Sequence, residues 1–92
     1  MAADGRSYTV YLKPAAEHAL TKLPRAVLTR IANAIDRLRL NPRPPGVTAL
    51  QGEPGVLRLR VGDYRIIYTV QDAVLTVLVV TVGHRRDVYR RR

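Results

Sequence analysis

An α+β fold of order β-α-α-β-β-β, with an antiparallel sheet packed against an N-terminal helical hairpin, is predicted by three features of the chain. Apolar residues recur at helical spacing on either side of Pro24, three β-rich runs crowd the second half, and a Pro- and Gly-rich stretch separates the two halves. The 92 residues suffice for one domain, residues 1–92, with one modest core, and a 47% hydrophobic content is ordinary for such a chain.

Residues 8–12 (YTVYL) are rich in β-branched and aromatic side chains and form the first expected strand, ending before Pro14. From Pro14 to Leu23, Ala16, Ala19, Leu20 and Leu23 fall on one helical face, with Pro14 suited to the first turn. Pro24 interrupts this pattern. Val27, Leu28, Ile31, Ile35 and Leu38 then line the apolar face of a second helix, with Arg30, Arg37 and Arg39 largely elsewhere. Residues 41–55 hold four of the six prolines and three of the six glycines, a connecting loop with a partly ordered middle at residues 47–50. Three strands follow at residues 56–61, 64–71 and 74–82, and the short spacers Gly62-Asp63 and Asp72-Ala73 make them consecutive antiparallel hairpins. The last is apolar on both faces, as in a central strand covered on each side. The ending, residues 84–92 (HRRDVYRRR), reads as a short terminal helix or a flexible tail.

Sixteen Lys and Arg against seven Asp and Glu give a formal net charge of +9, which favours a polyanionic partner. The absence of cysteine excludes disulfides, thiolate metal sites and a cysteine nucleophile, and His18 and His84 supply no metal-ligand spacing. No metal or cofactor is therefore expected. The first ten residues lack the apolar core of a signal peptide, and the longest largely apolar run, residues 73–82, is too short to cross a bilayer, so a cytoplasmic location is expected.

Strand alternation supplies the most specific inference. A two-residue turn at Gly62-Asp63 pairs Val61 with Tyr64 and Arg60 with Arg65, and paired residues share a face. Arg58 points the same way as Arg60, so three guanidinium groups converge while Leu57, Leu59, Val61, Ile66 and Tyr68 point to the opposite face. Three like charges so placed repel one another. Two readings accommodate them: a solvated strand face, or a surface that meets phosphate, whose oxygens a guanidinium grips in a bidentate way. His84, Arg85 and Tyr89 follow the adjoining strand. His18 reads as a helix-surface histidine, and Tyr8, Tyr11, Tyr64 and Tyr68 fit strand propensity and core packing better than base stacking.

The hairpin LRLRVGDYRIIY at residues 57–68, followed by TVGHRRDVY at residues 81–89, resembles the core of RelE-type toxins of the RelE/ParE toxin-antitoxin superfamily, and the likeness covers nearly the whole chain. The resemblance implies a type II toxin that cuts mRNA at the A-site codon on the ribosome and so inhibits translation. In that chemistry the ribose 2′-hydroxyl attacks the adjacent phosphate in line, without a metal, leaving a cyclic phosphate and a 5′-hydroxyl. By position, it assigns Arg58 and Arg60 to two basic strand sites, Arg65 to a phosphate clamp, Arg85 to the site beside the leaving oxygen, and Tyr89 to base stacking. Arg86, Arg90 and Lys13 are further expected RNA contacts.

One departure from the family pattern bears on mechanism. The best-known members carry lysines where this chain has Arg58 and Arg60, and arginine does not act as a base. Either phosphate activation suffices, or His84 or Tyr89 acts as the acid or base. The resemblance also implies a RelB-like antitoxin, the ribosome and mRNA as partners, and operator DNA only as a toxin-antitoxin complex. The competing readings are a ParE-type DNA gyrase poison of the same fold without a nuclease site, and a non-catalytic nucleic-acid-binding module. The set of five residues argues against the first, and cleavage separates the second.

Overall fold

The computed structural model describes residues 7–84. The elements follow in the order β1 (Thr9–Leu12), α1 (Pro14–Thr21), α2 (Arg25–Leu38), β2 (Thr48–Ala49), β3 (Val56–Val61), β4 (Tyr64–Gln71), a single 3₁₀ turn (Asp72–Val74) and β5 (Thr76–His84). The class is α+β as expected, with two helices ahead of the main strands, but the sheet is mixed. Its order is β1-β5-β4-β3-β2, and β1 runs parallel to β5 because the helical hairpin carries the chain back across one face. The middle of the expected loop supplies a fifth strand, β2, of only two residues.

Both helices start at prolines. Pro14 occupies the first turn of α1 and Pro24 caps α2, whose Leu28 N–H reaches the Pro24 carbonyl at 2.8 Å. Ala16 is fully buried against the sheet, and on α2 Ile31, Ala34 and Leu38 are the buried residues. Leu28, counted above on the apolar face, lies about 100° round the helix from Val27 and is exposed. The core joins these side chains to Ile66 and Tyr68 of β4 and to Val77, Val79 and Val82 of β5, all on the helix side of the sheet.

The β3–β4 register is the one that the Gly62-Asp63 turn predicts, with Val61 opposite Tyr64 and Arg60 opposite Arg65. Gly62 has φ +60° while Asp63 keeps a negative φ, so the turn is of type II′, which requires a left-handed residue in its first central position. Gly62→Ala is therefore expected to cost about 1–2 kcal/mol in chemical denaturation, from the left-handed backbone alone.

The last hairpin differs from its expected form. Its strand begins at Thr76 rather than residue 74, because the 3₁₀ turn and a left-handed Leu75 (φ 47°) make the connection. Between Ile67 and Tyr68 the β4–β5 register then skips Val80, which bulges from the ladder. Below the bulge Val77 and Val79 face the core; above it Val82 does. β5 lies inside the sheet as expected, and on the face away from the helices its Leu78 and Val80 are half-buried.

A polar clasp fastens the 3₁₀ turn to the start of β1 and to the loop after α2. Arg43, in the loop after α2, holds the Asp72 carboxylate with two bonds of 3.0 and 2.9 Å, and the Tyr8 hydroxyl donates to Asp72 Oδ1 at 2.7 Å. These bonds, the one from Arg43 foremost, hold the Asp72 carboxyl down to about 2. A carboxyl depressed in the folded state stabilises the fold above its unfolded value and loses that contribution as pH falls through the folded one. Thermal melts should thus show stability declining between about pH 4 and pH 2, and Asp72→Asn should shrink that acid limb.

Candidate nucleic-acid interface

Among the described residues no helix covers the second face of the sheet, and the basic hairpin places its arginines there. Arg60 and Arg65 sit directly opposite each other on β3 and β4, with Cα atoms about 5 Å apart by sheet geometry. Arg58 lies one strand repeat away, about 7 Å along β3. The side chains that alternate with them, Leu59, Ile66 and Tyr68, pack into the core, so the three arginines share the opposite face of the hairpin.

Each arginine is held differently. Arg58, opposite Thr48 of β2, donates from Nε to the Thr48 hydroxyl at 3.2 Å. Arg60, the most exposed, donates from Nε to the Gly62 carbonyl at 3.2 Å, which folds it back along the turn. Arg65 is partly buried, with Nη1 withdrawn from solvent, and its partner on β5 is Gly83, which presents no side chain beside it. A small apolar cluster forms the floor next to them: Ile67, opposite Arg58, and Leu50, with Val56 and Val80 around them. The loop that carries Leu50 is closed by its own backbone bonds, Leu50 N–H to Val56 O at 2.8 Å and Val56 N–H to Glu53 O at 3.1 Å.

His84 is not on this face. It pairs with Tyr64, and the two rings meet edge to face with centroids 5.5 Å apart, on the side of the sheet shared by Ile66 and Val82. The cause is the bulge at Val80. Unbroken alternation from Leu78 carries Val82 and His84 to the arginine face, and one extra residue reverses the phase. Lys13 is exposed at the end of β1, where its N–H meets the Val79 carbonyl at 2.9 Å, and β5 separates it from the arginine-bearing strands. Arg85, Arg86, Tyr89 and Arg90 lie outside the described residues, and Arg85 follows His84 directly in the chain.

Tyr11, expected to pack into the core, is instead a surface residue. It is 56% exposed and pairs with Leu78, which pairs with Thr69, on the same face as Arg65. The alternation of Val10 and Leu12 inward carried that signal, because it leaves Tyr11 pointing outward. Tyr68, by contrast, is fully buried in the core, and its hydroxyl donates to the Pro42 carbonyl at 2.6 Å. Among the described residues no three His, Asp or Glu side chains gather as a metal site, and no helix is long and apolar enough to cross a membrane.

Comparison with known proteins agrees with this fold. Residues 10–89 match the family model of the ParE toxin of the type II toxin-antitoxin system parDE. The chain is 34% identical over 85 residues to Toxin RelG of Mycobacterium tuberculosis, a match spanning 91% of this chain and 98% of that one. Among solved structures it is similar to the RelBE2 toxin-antitoxin complex of Mycobacterium tuberculosis, with TM-score 0.77 and 31% identity over 86% of this chain and 99% of that chain. The archaeal RelE-RelB complex of Pyrococcus horikoshii is also similar, with TM-score 0.76 and 30% identity over 86% of this chain and 96% of that chain. A β-α-α-β-β-β-β chain with an arginine hairpin on its open face, matched by sequence along nearly its whole length, belongs to the RelE/ParE family of type II toxin-antitoxin toxins.

Proposed function

We propose that this toxin is a ribosome-dependent endoribonuclease that cleaves mRNA at the A-site codon. The observation that carries the reading is the convergence of Arg58, Arg60 and Arg65 on one open sheet face, where a phosphodiester meets three fork-shaped donors at once. The ribose 2′-oxygen forms a bond to the adjacent phosphorus as the bond to the 5′-oxygen breaks. Products are a 2′,3′-cyclic phosphate and a 5′-hydroxyl; the 2′-hydroxyl proton passes to solvent and the departing 5′-oxygen takes one up. Negative charge grows on the phosphorane, and donors already in position stabilise it without reorganising.

In this reading Arg65, set opposite the bare backbone of Gly83, clamps the phosphate. Arg58 and Arg60 flank it, Arg85 neutralises the leaving oxygen, and Tyr89 stacks on a base; Lys13, Arg86 and Arg90 add backbone contacts. With His84 turned to the Tyr64 side of the sheet, the arginines act as electrostatic stabilisers and not as proton acceptors. The ribosome supplies alignment of the messenger, which is a large part of such a rate enhancement. A RelB-like antitoxin is the expected partner, since the similar RelBE2 and archaeal RelE structures are toxin-antitoxin complexes. A single 2′-deoxy substitution at the scissile nucleotide tests the chemistry: it should abolish cutting at that phosphate, whereas cutting that persists rules out 2′-hydroxyl attack.

A second reading follows from the family model itself, which describes a ParE toxin. Under it the arginine face meets DNA gyrase or its DNA, and supercoiling assays with purified gyrase separate the two.

A further inference from the structure

Arg60 belongs to a second surface. β2 pairs with β3 only opposite Leu57 and Arg58, so β3 is the free edge of the sheet from Leu59 to Val61. A groove of about 550 Å³ opens between that edge and α2, lined by Arg30, Asn33 and Arg37 from α2, Pro44 from the following loop, and Leu59 and Arg60 from β3. Arg30 reaches across it to the hairpin turn, where a Cβ added to Gly62 would approach its Nη2 to 2.9 Å. Arg60 bonds to the carbonyl of the same glycine. Arg37 lies two helical turns from Arg30, about 10 Å along α2, with Asn33 between them.

The charge in this groove is not balanced within the described residues. Ion pairs such as Asp36 with Arg39 and Asp72 with Arg43 lie elsewhere, and Arg30, Arg37 and Arg60 take part in none among the described residues. Three guanidinium groups around one concave site, without a carboxylate partner, carry a repulsion that a polyanion relieves. Arg60 also makes the groove continuous with the open face, because it stands opposite Arg65 on one side and lines the groove on the other.

We propose that the groove is a second binding site for RNA phosphodiester, gripping a backbone segment through Arg30 and Arg37 outside the cleavage face, with Arg60 at the junction of the two surfaces. Its floor of Leu59 and Pro44 receives the ribose edge, while the amide of Asn33 reaches a backbone or hydroxyl oxygen. The site rests on the nuclease reading and adds to it a contact that raises affinity but takes no part in bond breaking.

The test uses the full chain with both arginines of α2 replaced, Arg30→Gln/Arg37→Gln, against the charge-retaining Arg30→Lys/Arg37→Lys. Both positions are exposed, and thermal melts check that the fold is kept. Binding to a short single-stranded RNA is titrated over a range of salt, and the slope of log K against log salt should fall in magnitude by about 1.4 for two lost phosphate contacts. The Lys pair should restore it. On mRNA-programmed ribosomes the concentration for half-maximal cleavage should rise, while the single-turnover rate at saturation stays within about twofold. Weakened binding to the free RNA assigns the groove to the messenger, and weakening only on ribosomes without messenger assigns it to ribosomal RNA. If wild type binds and cleaves but the Gln pair matches it in slope and half-saturation on both, the groove proposal fails and the nuclease reading stands. Loss of binding to an acidic antitoxin segment with RNA binding intact also overturns it, and a wild type that neither binds nor cleaves RNA brings down both.

Discussion

Arg65→Ala should lower the single-turnover rate of the proposed ribosome-dependent cleavage by about 10²- to 10³-fold, the loss typical when one pre-placed donor to a developing oxyanion is removed. The size follows from position. Arg65 lies midway in the site, with Arg60 across from it on one side and the side-chain-free Gly83 on the other. A phosphate on this face meets its guanidinium with little further loss of side-chain freedom. Since the contact strengthens as charge builds on phosphorus, the loss appears in the rate at saturation more than in half-saturation. Arg65→Lys keeps the charge but not the bidentate fork, so it should fall between the two. Rapid-mixing cleavage assays paired with thermal melts read both quantities. A variant that melts at the wild-type temperature and cleaves at the wild-type rate removes Arg65 from the mechanism, and one that fails to fold assigns it to structure.

Tyr68→Phe destabilises the chain by about 1–3 kcal/mol although it removes one oxygen atom. Tyr68 is the largest fully buried side chain among the described residues, and its hydroxyl donates to the carbonyl of Pro42, itself buried. Phenylalanine keeps the packing and leaves that acceptor without its donor in an apolar setting, where the desolvation cost is not recovered. Burial pushes the Tyr68 hydroxyl up to about 12. A group whose folded value is raised stabilises the fold fully below its unfolded value and loses that contribution as pH rises through the folded one. Urea denaturation should show wild-type stability falling from about pH 10 to pH 12, a limb that Tyr68→Phe reduces. Equal midpoints for the two proteins at neutral pH would contradict this role.

Much of the architecture was legible because local rules acted alone. Pro14 and Pro24 mark the helix starts, and Gly62-Asp63 determines a register that carries Arg58, Arg60 and Arg65 to one face. What escaped the sequence depends on tertiary pairing. The parallel alignment of β1 with β5 is set by where the helical hairpin returns the chain, and Thr48–Ala49 becomes a strand only because Arg58 and Leu57 offer it a partner. The side of His84 turns on one bulged residue, Val80, which nothing in the run TVLVVTVGH announces, since valines and threonine occupy both phases. Tyr11 is the opposite case, readable from its neighbours but overridden by the general habit of strand tyrosines to pack inward. The groove at Arg30, Arg37 and Arg60 joins residues of α2 and β3 far apart in sequence, a proximity that no local pattern encodes.

Primer extension on a defined mRNA in a reconstituted translation reaction tests the central claim most directly, with wild type, Arg85→Ala and a reaction without ribosomes run side by side. Cuts in register with the codons, present only with ribosomes and lost in the Arg85 variant, are the expected result. Intact messenger with wild-type toxin on translating ribosomes would contradict it.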